Sequence, residues 1–130
     1  MLRAAYHSAQ RELLVDGRRE DYARLSESTR QAIDSGVETE LPVQSTGTTP
    51  ISHFVVRPGA PPNRVSVENG RVAFSIAPSL QLQFLSFIEF PGDGDLPDTA
   101  IQYHHHFDGL ADDGYVAADS LPVVFSLQRG

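Results

Sequence analysis

The sequence predicts an α+β fold in which a helical N-terminal pair precedes an antiparallel sheet of about five strands with one helix packed on it. Two observations carry this prediction. Apolar residues recur at helical spacing within the first 36 residues, and β-type segments flank an Asn69-Gly70 dipeptide farther along. The chain has 130 residues, 40% of them apolar and 21% charged, which suits a single folding unit with a buried core.

Two helices are predicted in the N-terminal segment, residues 1–36. Residues 2–15 place their apolar side chains on one helical face, and Gly17 follows as a natural stop. A second helix begins near Asp21, a candidate cap, and its apolar stripe ends at Gly36. Because isolated helices of this length are marginal in water, we expect both to pack on each other or on the rest of the chain.

The next segment, residues 37–50, predicts a linker or an extended arm. It has no apolar period, and it concentrates proline, glycine, serine and threonine. A boundary at this segment leaves residues 51–130 as an α+β domain.

The α+β domain is expected to follow the order β-β-β-α-β-β. Its clearest feature is the hairpin on Asn69-Gly70, because both residues of this dipeptide accept the positive φ angles of a type I′ turn. A helix over residues 79–90 has the largest apolar content and should cover one face of the sheet. Short connections favour antiparallel pairing. The strands are predicted at residues 51–57, 65–68, 71–76, 100–107 and 121–127.

Charge is concentrated toward the C-terminal end. The chain has a formal net charge of −7, and residues 91–130 contain seven aspartates against Arg129 alone. An anionic surface repels nucleic-acid phosphates, so we expect no nucleic-acid partner. A basic protein is the expected partner, because opposite charges accelerate association and disfavour wrong pairings.

Several classes of protein are excluded or disfavoured by composition. With no cysteine, the chain has no disulfides, thiolate metal sites or cysteine nucleophiles. No apolar run approaches membrane-spanning length and no secretory signal is evident, which predicts a cytoplasmic protein without a membrane partner. A glycine-rich phosphate loop, a nucleophile elbow and a His-Glu-x-x-His motif are all missing.

The segment Ile-Gln-Tyr-His-His-His-Phe-Asp, residues 101–108, is the one segment where chemistry could reside. Alternation along a strand places His105 inward, where a neutral imidazole is expected to donate a hydrogen bond to a carbonyl or to Tyr103. The opposite face carries Gln102, His104, His106 and Asp108. His104, His106 and Asp108 could form a facial metal site, which is the alternative to a surface role for this face.

Two acidic loops, residues 92–98 and 108–114, border this strand. Their glycines and aspartates invite comparison with calcium loops, but their spacing does not match the EF-hand. We expect instead a recognition surface for a basic protein, with no cofactor. The residues predicted to form that surface are Asp93, Asp95, Asp98, His104, His106, Asp108, Asp112 and Asp113.

Four features follow one another over roughly residues 65–127. They are the hairpin, the apolar helix, the strand with His104-x-His106 that ends in Phe-Asp, and a final Asp-Ser-Leu-Pro-Val-Val-Phe run. Because these four features occur in this order, the chain resembles the immunity protein 32 family of small immunity proteins from bacterial polymorphic-toxin systems. The resemblance implies a non-catalytic protein that binds and neutralises a cognate toxin, commonly a nuclease or another hydrolase. The N-terminal segment, residues 1–36, is additional to the short form of that family.

The preferred interpretation is therefore a non-catalytic, immunity-like protein-binding module with an acidic surface and no catalytic residues. One alternative is a small metal-dependent enzyme, cupin-like or of the facial-triad type, that uses the strand with His104 and His106. Another is an oligomeric structural subunit that associates with further copies through residues 1–36.

Overall fold

The computed structural model describes residues 1–90, 103–109 and 114–128, which combine strands and helices. The strands are β1 (Arg3–His7), β2 (Glu12–Gly17), β3 (Thr39–Pro42), β4 (Gln44–Ser45), β5 (His53–Pro58), β6 (Arg64–Glu68), β7 (Arg71–Ile76), β8 (Tyr103–Phe107) and β9 (Val123–Leu127). The α-helices are α1 (Arg19–Ser35) and α2 (Gln81–Ile88), and short 3₁₀ turns span Ser8–Gln10 and Pro78–Leu80. The expected mixture of helix and strand is confirmed.

The strands form two mixed sheets, not the single antiparallel sheet that the sequence predicts. The first sheet has the order β4-β1-β2-β9-β8 and the second has the order β3-β5-β7-β6. Most neighbouring pairs are antiparallel, but β1–β4, β2–β9 and β5–β7 are parallel. Parallel neighbours need long crossover connections, which a pattern of short local segments does not reveal.

The predicted helix over residues 2–15 is wrong, because this segment folds into the β1–β2 hairpin. The apolar positions also satisfy a period of two: Leu13 and Val15 are buried, while Leu14 between them is 39% exposed. Arg11 adopts a left-handed φ of 49° and helps to close the turn. Pairing of β2 with β9, from the far end of the chain, decides between the two periods.

The second predicted helix is confirmed as α1. It ends at Gly36, which has a φ of 72° and donates its backbone N–H to the carbonyl of Ala32. Asp21 lies in the first turn, and its carboxylate accepts a hydrogen bond of 3.1 Å from the backbone N–H of Arg18. The helix therefore begins slightly before the predicted position.

Opposing influences act on the Asp21 carboxyl. Burial is the largest of them and would raise its pKa, but hydrogen bonds from the Met1 ammonium and Arg18, with the charges of Met1 and Arg24, outweigh burial. The net effect lowers the pKa of Asp21. The Met1 ammonium lies 2.6 Å from this carboxylate.

Residues 37–50, predicted as a linker or an extended arm, contribute β3 and β4 to two different sheets. Both strands lie at sheet edges, where polar residues and proline are tolerated because one side of the strand is not paired. Strands from residues 1–36 and from residues 51–130 also share the first sheet, since β2 pairs with β9.

The local signals between residues 51 and 90 are confirmed. β6 and β7 pair in the register that opposes Glu68 to Arg71, and the turn residues Asn69 and Gly70 have φ angles of 52° and 76°. β5 and α2 lie within a residue or two of their predicted bounds. Of the two later predicted strands, β9 and the described part of β8 are present, whereas residues 100–102 lie outside the described residues.

The core forms where the two sheets and α2 meet. Phe84 of α2 lies with its ring centroid 5.6 Å from that of Phe74 in the second sheet and 5.3 Å from that of Phe107 in the first. Phe125 packs against Phe84 from β9, and all four rings are fully buried. As predicted, α2 covers sheet residues with its apolar face. Within the described ranges, no helix combines the length and the apolar character that crossing a bilayer requires.

A candidate interaction surface on the first sheet

The outer face of the first sheet is the side turned away from the aromatic core. Both helices pack on the opposite side, where Tyr22 of α1 contacts Phe125 and Phe87 of α2 contacts Phe107. Alternation along the strands then assigns every second residue to the outside. The side chains that define the outer face are Arg3, Ala5, His7, Glu12, Leu14, Asp16, Val124, Ser126, His104 and His106.

Strand register arranges these side chains in two parallel rows. Cross-strand pairs join Arg3 to Asp16, Asp16 to Ser126, and Ser126 to His104, which together form a polar row. The neighbouring pairs join Ala5 to Leu14, Leu14 to Val124, and Val124 to His106, which form an apolar row that ends in a histidine. The outer face therefore presents an apolar strip beside a polar one.

Hydrogen bonds hold the polar row in place. The Arg3 guanidinium donates two bonds to the Asp16 carboxylate, of 2.9 and 2.6 Å, in a bidentate ion pair. Gln128 adds a longer bond of 3.4 Å to the same carboxylate. His104 Nδ1 lies 2.7 Å from the hydroxyl oxygen of Ser126. Both ends of the row are thus fixed, which limits the entropy lost when a partner binds.

The two rows enclose a shallow cavity of about 300 Å³. Leu14 and Val124 supply its apolar lining, and His104 with Asp16 supplies polar edges. Thr46, just after β4, also lines it. A concavity of this size could accept one or two side chains of a partner protein.

The histidine strand follows the predicted alternation. His104 and His106 are exposed on the outer face, whereas His105 is half-buried on the inner side. The Nδ1–H of His105 donates to the carbonyl of Phe87 at 2.9 Å, as expected for an inward histidine bonded to a carbonyl. Its ring also stacks on Phe90, with centroids 4.6 Å apart and planes 4° from parallel.

The metal-site alternative gains no support from this geometry. In the part of the chain that the structure describes, no three histidine or carboxylate side chains are grouped so that they could hold a metal ion. His104, His106 and Asp108 are among the described residues. One ring nitrogen of His104 is already directed at Ser126, and Asp108 lies half-buried just beyond the end of β8.

Of the eight residues predicted for the recognition surface, the structure describes three. His104 and His106 share the outer face, and Asp108 lies half-buried in a bend just beyond β8. Five others, Asp93, Asp95, Asp98, Asp112 and Asp113, lie outside the described residues.

Leu14, Asp16 and the buried Ser126 belong to the outer face but were not predicted from the sequence. The helical prediction for residues 2–15 hid the first, and no local pattern pairs β2 with β9. The signal that could have found them is the match between Leu-Leu-Val-Asp of β2 and Val-Val-Phe-Ser of β9. Both segments alternate buried and outward positions, and each ends in a polar residue that faces outward.

The outer face of the second sheet provides a contrast, because ion pairs cover it. Arg57 lies 2.9 Å from Glu68 and 3.2 Å from Glu38, and Arg71 pairs with Glu40. The contact of 3.2 Å joins Arg57 Nε to Glu38, but its angles are not those of a hydrogen bond. Arg57 Nε is therefore a buried nitrogen that forms no hydrogen bond among the described residues. Beneath these side chains Val55 and Ala73 are buried, so this face offers no apolar strip.

Comparisons of the chain with protein-family models, with curated proteins and with solved structures each find no match.

Proposed function

We propose that the chain is a non-catalytic protein-binding module that holds a basic partner protein against the outer face of the first sheet. The observation that carries this proposal is the juxtaposition of an apolar row and a fixed polar row on a sheet face that neither helix covers. Interfaces combine apolar contact area with hydrogen-bonding groups in this manner.

The charge of the outer face favours a basic partner. The described part of this face carries two carboxylates, Glu12 and Asp16, and one arginine, Arg3. Asp108, just beyond the end of β8, adds a further negative charge nearby. The whole chain has a formal charge of −7. Long-range attraction would therefore steer a cationic protein toward this molecule, and salt would weaken that steering.

The area of the outer face shows that the sheet alone is not enough. Five strands about 4.8 Å apart and about 17 Å long present a projected area of about 400 Å². A standard interface takes about 800 Å² from each partner. Loops beside the sheet would supply the remainder.

The contact between Ser126 and His104 invites comparison with a catalytic triad, but its geometry favours binding. In a triad the carboxylate orients the histidine from the ring nitrogen that does not touch the serine. Here Asp16 lies on the other side of Ser126 and is engaged by Arg3. His104 is thus not oriented by a carboxylate of this row.

The resemblance to the immunity protein 32 family suggests the class of partner. On that basis we propose a bacterial toxin with a basic surface, which the chain would neutralise by occupying that surface. This part of the proposal depends on the resemblance, whereas the binding face depends on the contacts described above.

Binding to the proteins encoded by neighbouring genes tests the proposal. Each candidate is co-expressed with the chain, and the affinity of any complex is measured by biolayer interferometry. We expect Leu14→Lys to weaken the complex at least about tenfold, because a charge would be buried in the apolar row. Leu82→Lys is the matched control, since Leu82 is 81% exposed on α2, away from this face.

His104→Ala provides a second test with an unusually close control. His53 in the second sheet also places Nδ1 near a serine hydroxyl, 2.9 Å from that of Ser52. We expect His104→Ala to weaken the complex and His53→Ala to leave it unchanged. If the two variants, and the two lysine variants, bind alike, the outer face of the first sheet is not the binding site.

A further inference from the structure

Asn63 and Asn69 are the two asparagines of the chain, and the fold places them in opposite environments. Asn69 is exposed at the tip of the β6–β7 hairpin and is followed by Gly70. Asn63, just before β6, is fully buried. Asparagine is a thermolabile residue that can lose its amide in water, so the two side chains can be compared as modification sites.

Hydrogen bonds fix both polar atoms of the Asn63 amide. Its Nδ2 donates to the carbonyl of Leu80 at 3.3 Å and to Oε1 of Gln83 at 3.2 Å. Its Oδ1 accepts the backbone N–H of Ala77 at 2.8 Å. A buried amide held in this way can react only when the surrounding structure opens. Asn63 is therefore the protected asparagine and an internal reference for the other one.

The Asn69-Gly70 turn combines three features that favour loss of the amide. The reaction begins when the backbone nitrogen of the next residue attacks the side-chain carbonyl carbon, and glycine hinders this attack least because it has no Cβ. Space around the turn is open, since a Cβ built on Gly70 would meet no atom within 4 Å. The ladder hydrogen bonds that close a two-residue turn join the flanking residues, here Glu68 and Arg71, so they do not occupy the Gly70 nitrogen.

We infer that Asn69 is a site of spontaneous deamidation in the folded protein. The Gly70 nitrogen forms a bond to Cγ of Asn69, and the side-chain nitrogen leaves as ammonia with the proton that Gly70 gives up. Water then opens the resulting cyclic imide at either carbonyl carbon, which yields aspartate or isoaspartate. This inference is independent of the proposed protein-binding function, because Asn69 belongs to a hairpin of the second sheet.

The two products should differ in their effect on the hairpin. Aspartate keeps the length of the backbone, and Asp-Gly suits a type I′ turn as Asn-Gly does. Isoaspartate adds one backbone carbon between Glu68 and Gly70. Both neighbours are held in place, Glu68 by its pairing with Arg71 and the Gly70 carbonyl by the N–H of Ser52 at 2.8 Å. The longer path does not fit a two-residue turn in this register, so the isoaspartate form should unfold more easily.

Peptide mapping measures the reaction at both asparagines. The folded full chain is incubated in mildly alkaline buffer and then digested with trypsin, which cleaves after Arg64 and so places Asn63 and Asn69 in different peptides. Mass spectrometry follows the conversion of amide to acid in each peptide. We expect Asn69 to convert at least about tenfold faster than Asn63, because only the exposed amide reacts without opening of the fold.

Gly70→Ala tests the attacking nitrogen. The added Cβ should slow the conversion of Asn69 even though it strains the turn. The inference is wrong if this variant converts as fast as the wild type, because the Gly70 nitrogen would then not be the nucleophile. It is also wrong if Asn69 keeps its amide as long as Asn63 does, or converts only in urea, because the turn would then protect it.

Asn69→Asp is the matched control for the isoaspartate product, since the two have the same charge and the same mass. The isoaspartate form is separated by chromatography, and its unfolding in urea is compared with that of the variant. We expect a lower urea midpoint for the isoaspartate form and a midpoint close to that of the wild type for Asn69→Asp. Equal midpoints for the two would contradict the effect assigned to the extra backbone carbon.

Discussion

Tyr22 connects α1 to the two central strands of the first sheet through one hydroxyl group. Its O–H lies 2.6 Å from the carbonyl of Ser126 in β9 and 3.2 Å from that of Val15 in β2. The side chain is 1% exposed, and its ring packs against Phe125. A single side chain thus fixes the helix to the parallel pair of strands.

Removal of this hydroxyl should destabilise the protein. We expect Tyr22→Phe to lower the free energy of unfolding by about 1–3 kcal/mol, because two buried carbonyl groups lose a hydrogen bond. Urea denaturation measures this change. Tyr6→Phe is the control, since the hydroxyl of Tyr6 forms no hydrogen bond within the described ranges. Equal effects of both substitutions would contradict the role assigned to Tyr22.

Tyr22 should also make stability depend on alkaline pH. Burial raises the pKa of the Tyr22 hydroxyl well above its ordinary value of about 10. The unfolded chain therefore releases this proton first, so stability is fully present below about pH 10 and falls above it. One proton contributes a slope of about 1.4 kcal/mol per pH unit.

Unfolding free energies between pH 8 and pH 11 test this dependence. The difference between wild type and Tyr22→Phe should be constant up to about pH 9.5 and should shrink above about pH 10. A difference that stays constant to pH 11 would show that Tyr22 ionises normally in the folded protein.

At the scale of elements, sequence predicts well those structures whose determinants are local. Asn69-Gly70 specifies the β6–β7 hairpin, and Gly36 specifies the end of α1, because few residue types adopt positive φ angles without strain. The β1–β2 hairpin has no such marker. Its alanines, leucines and tyrosine suit a helical period as well as a strand, so the pairing partner β9 decides.

The type I′ turn should be sensitive at one of its two central positions. Gly70 has a φ of 76°, and a Cβ there would meet no atom within 4 Å, so any cost arises from the backbone alone. We expect Gly70→Ala to lower stability by about 1–2 kcal/mol and Asn69→Gly to change it by less than about 0.5 kcal/mol. Thermal unfolding compares the two. A larger loss for Asn69→Gly would contradict the turn geometry.

Helix α2 should show a strong contrast between its two faces. Ile88 is 1% exposed, whereas Leu82 on the same helix is 81% exposed. Ile88→Ala should cost about 2–5 kcal/mol through the transfer and cavity contributions, and Leu82→Ala should cost almost nothing. Urea denaturation distinguishes them, and similar losses at both positions would mean that α2 is not seated as described.

At the scale of the whole molecule, the two sheets depend on distant parts of the chain. The first sheet joins strands from the beginning and the end of the chain. The strands β3 and β4 lie in different sheets, although only one residue separates them in sequence. Local patterns could not predict this arrangement, because it is set by packing between segments far apart in sequence. Local patterns could predict that His104 and His106 share one outward face. They could not predict that Leu14, Asp16 and Ser126 lie beside these histidines.

A fragment that begins at residue 48 should therefore fail to fold. It lacks β1 and β2, so β9 loses the neighbour with which it pairs over Leu13–Gly17, and it lacks the buried Tyr22 ring and the buried aliphatic groups of α1. We expect weak chemical-shift dispersion and no cooperative unfolding transition, in contrast to the full chain. A cooperatively folded fragment would show that residues 51–130 are an independent unit.

The pairing of β2 with β9 also has a consequence for biosynthesis. Tyr22 and Ser126, which lie together in the folded protein, are 104 positions apart in the chain. A growing polypeptide therefore exposes the N-terminal hairpin without this neighbour until β9 has been synthesised and has left the ribosome. Unprotected strand edges of this kind attract other chains, so rapid synthesis at high concentration should favour aggregates that slower expression avoids.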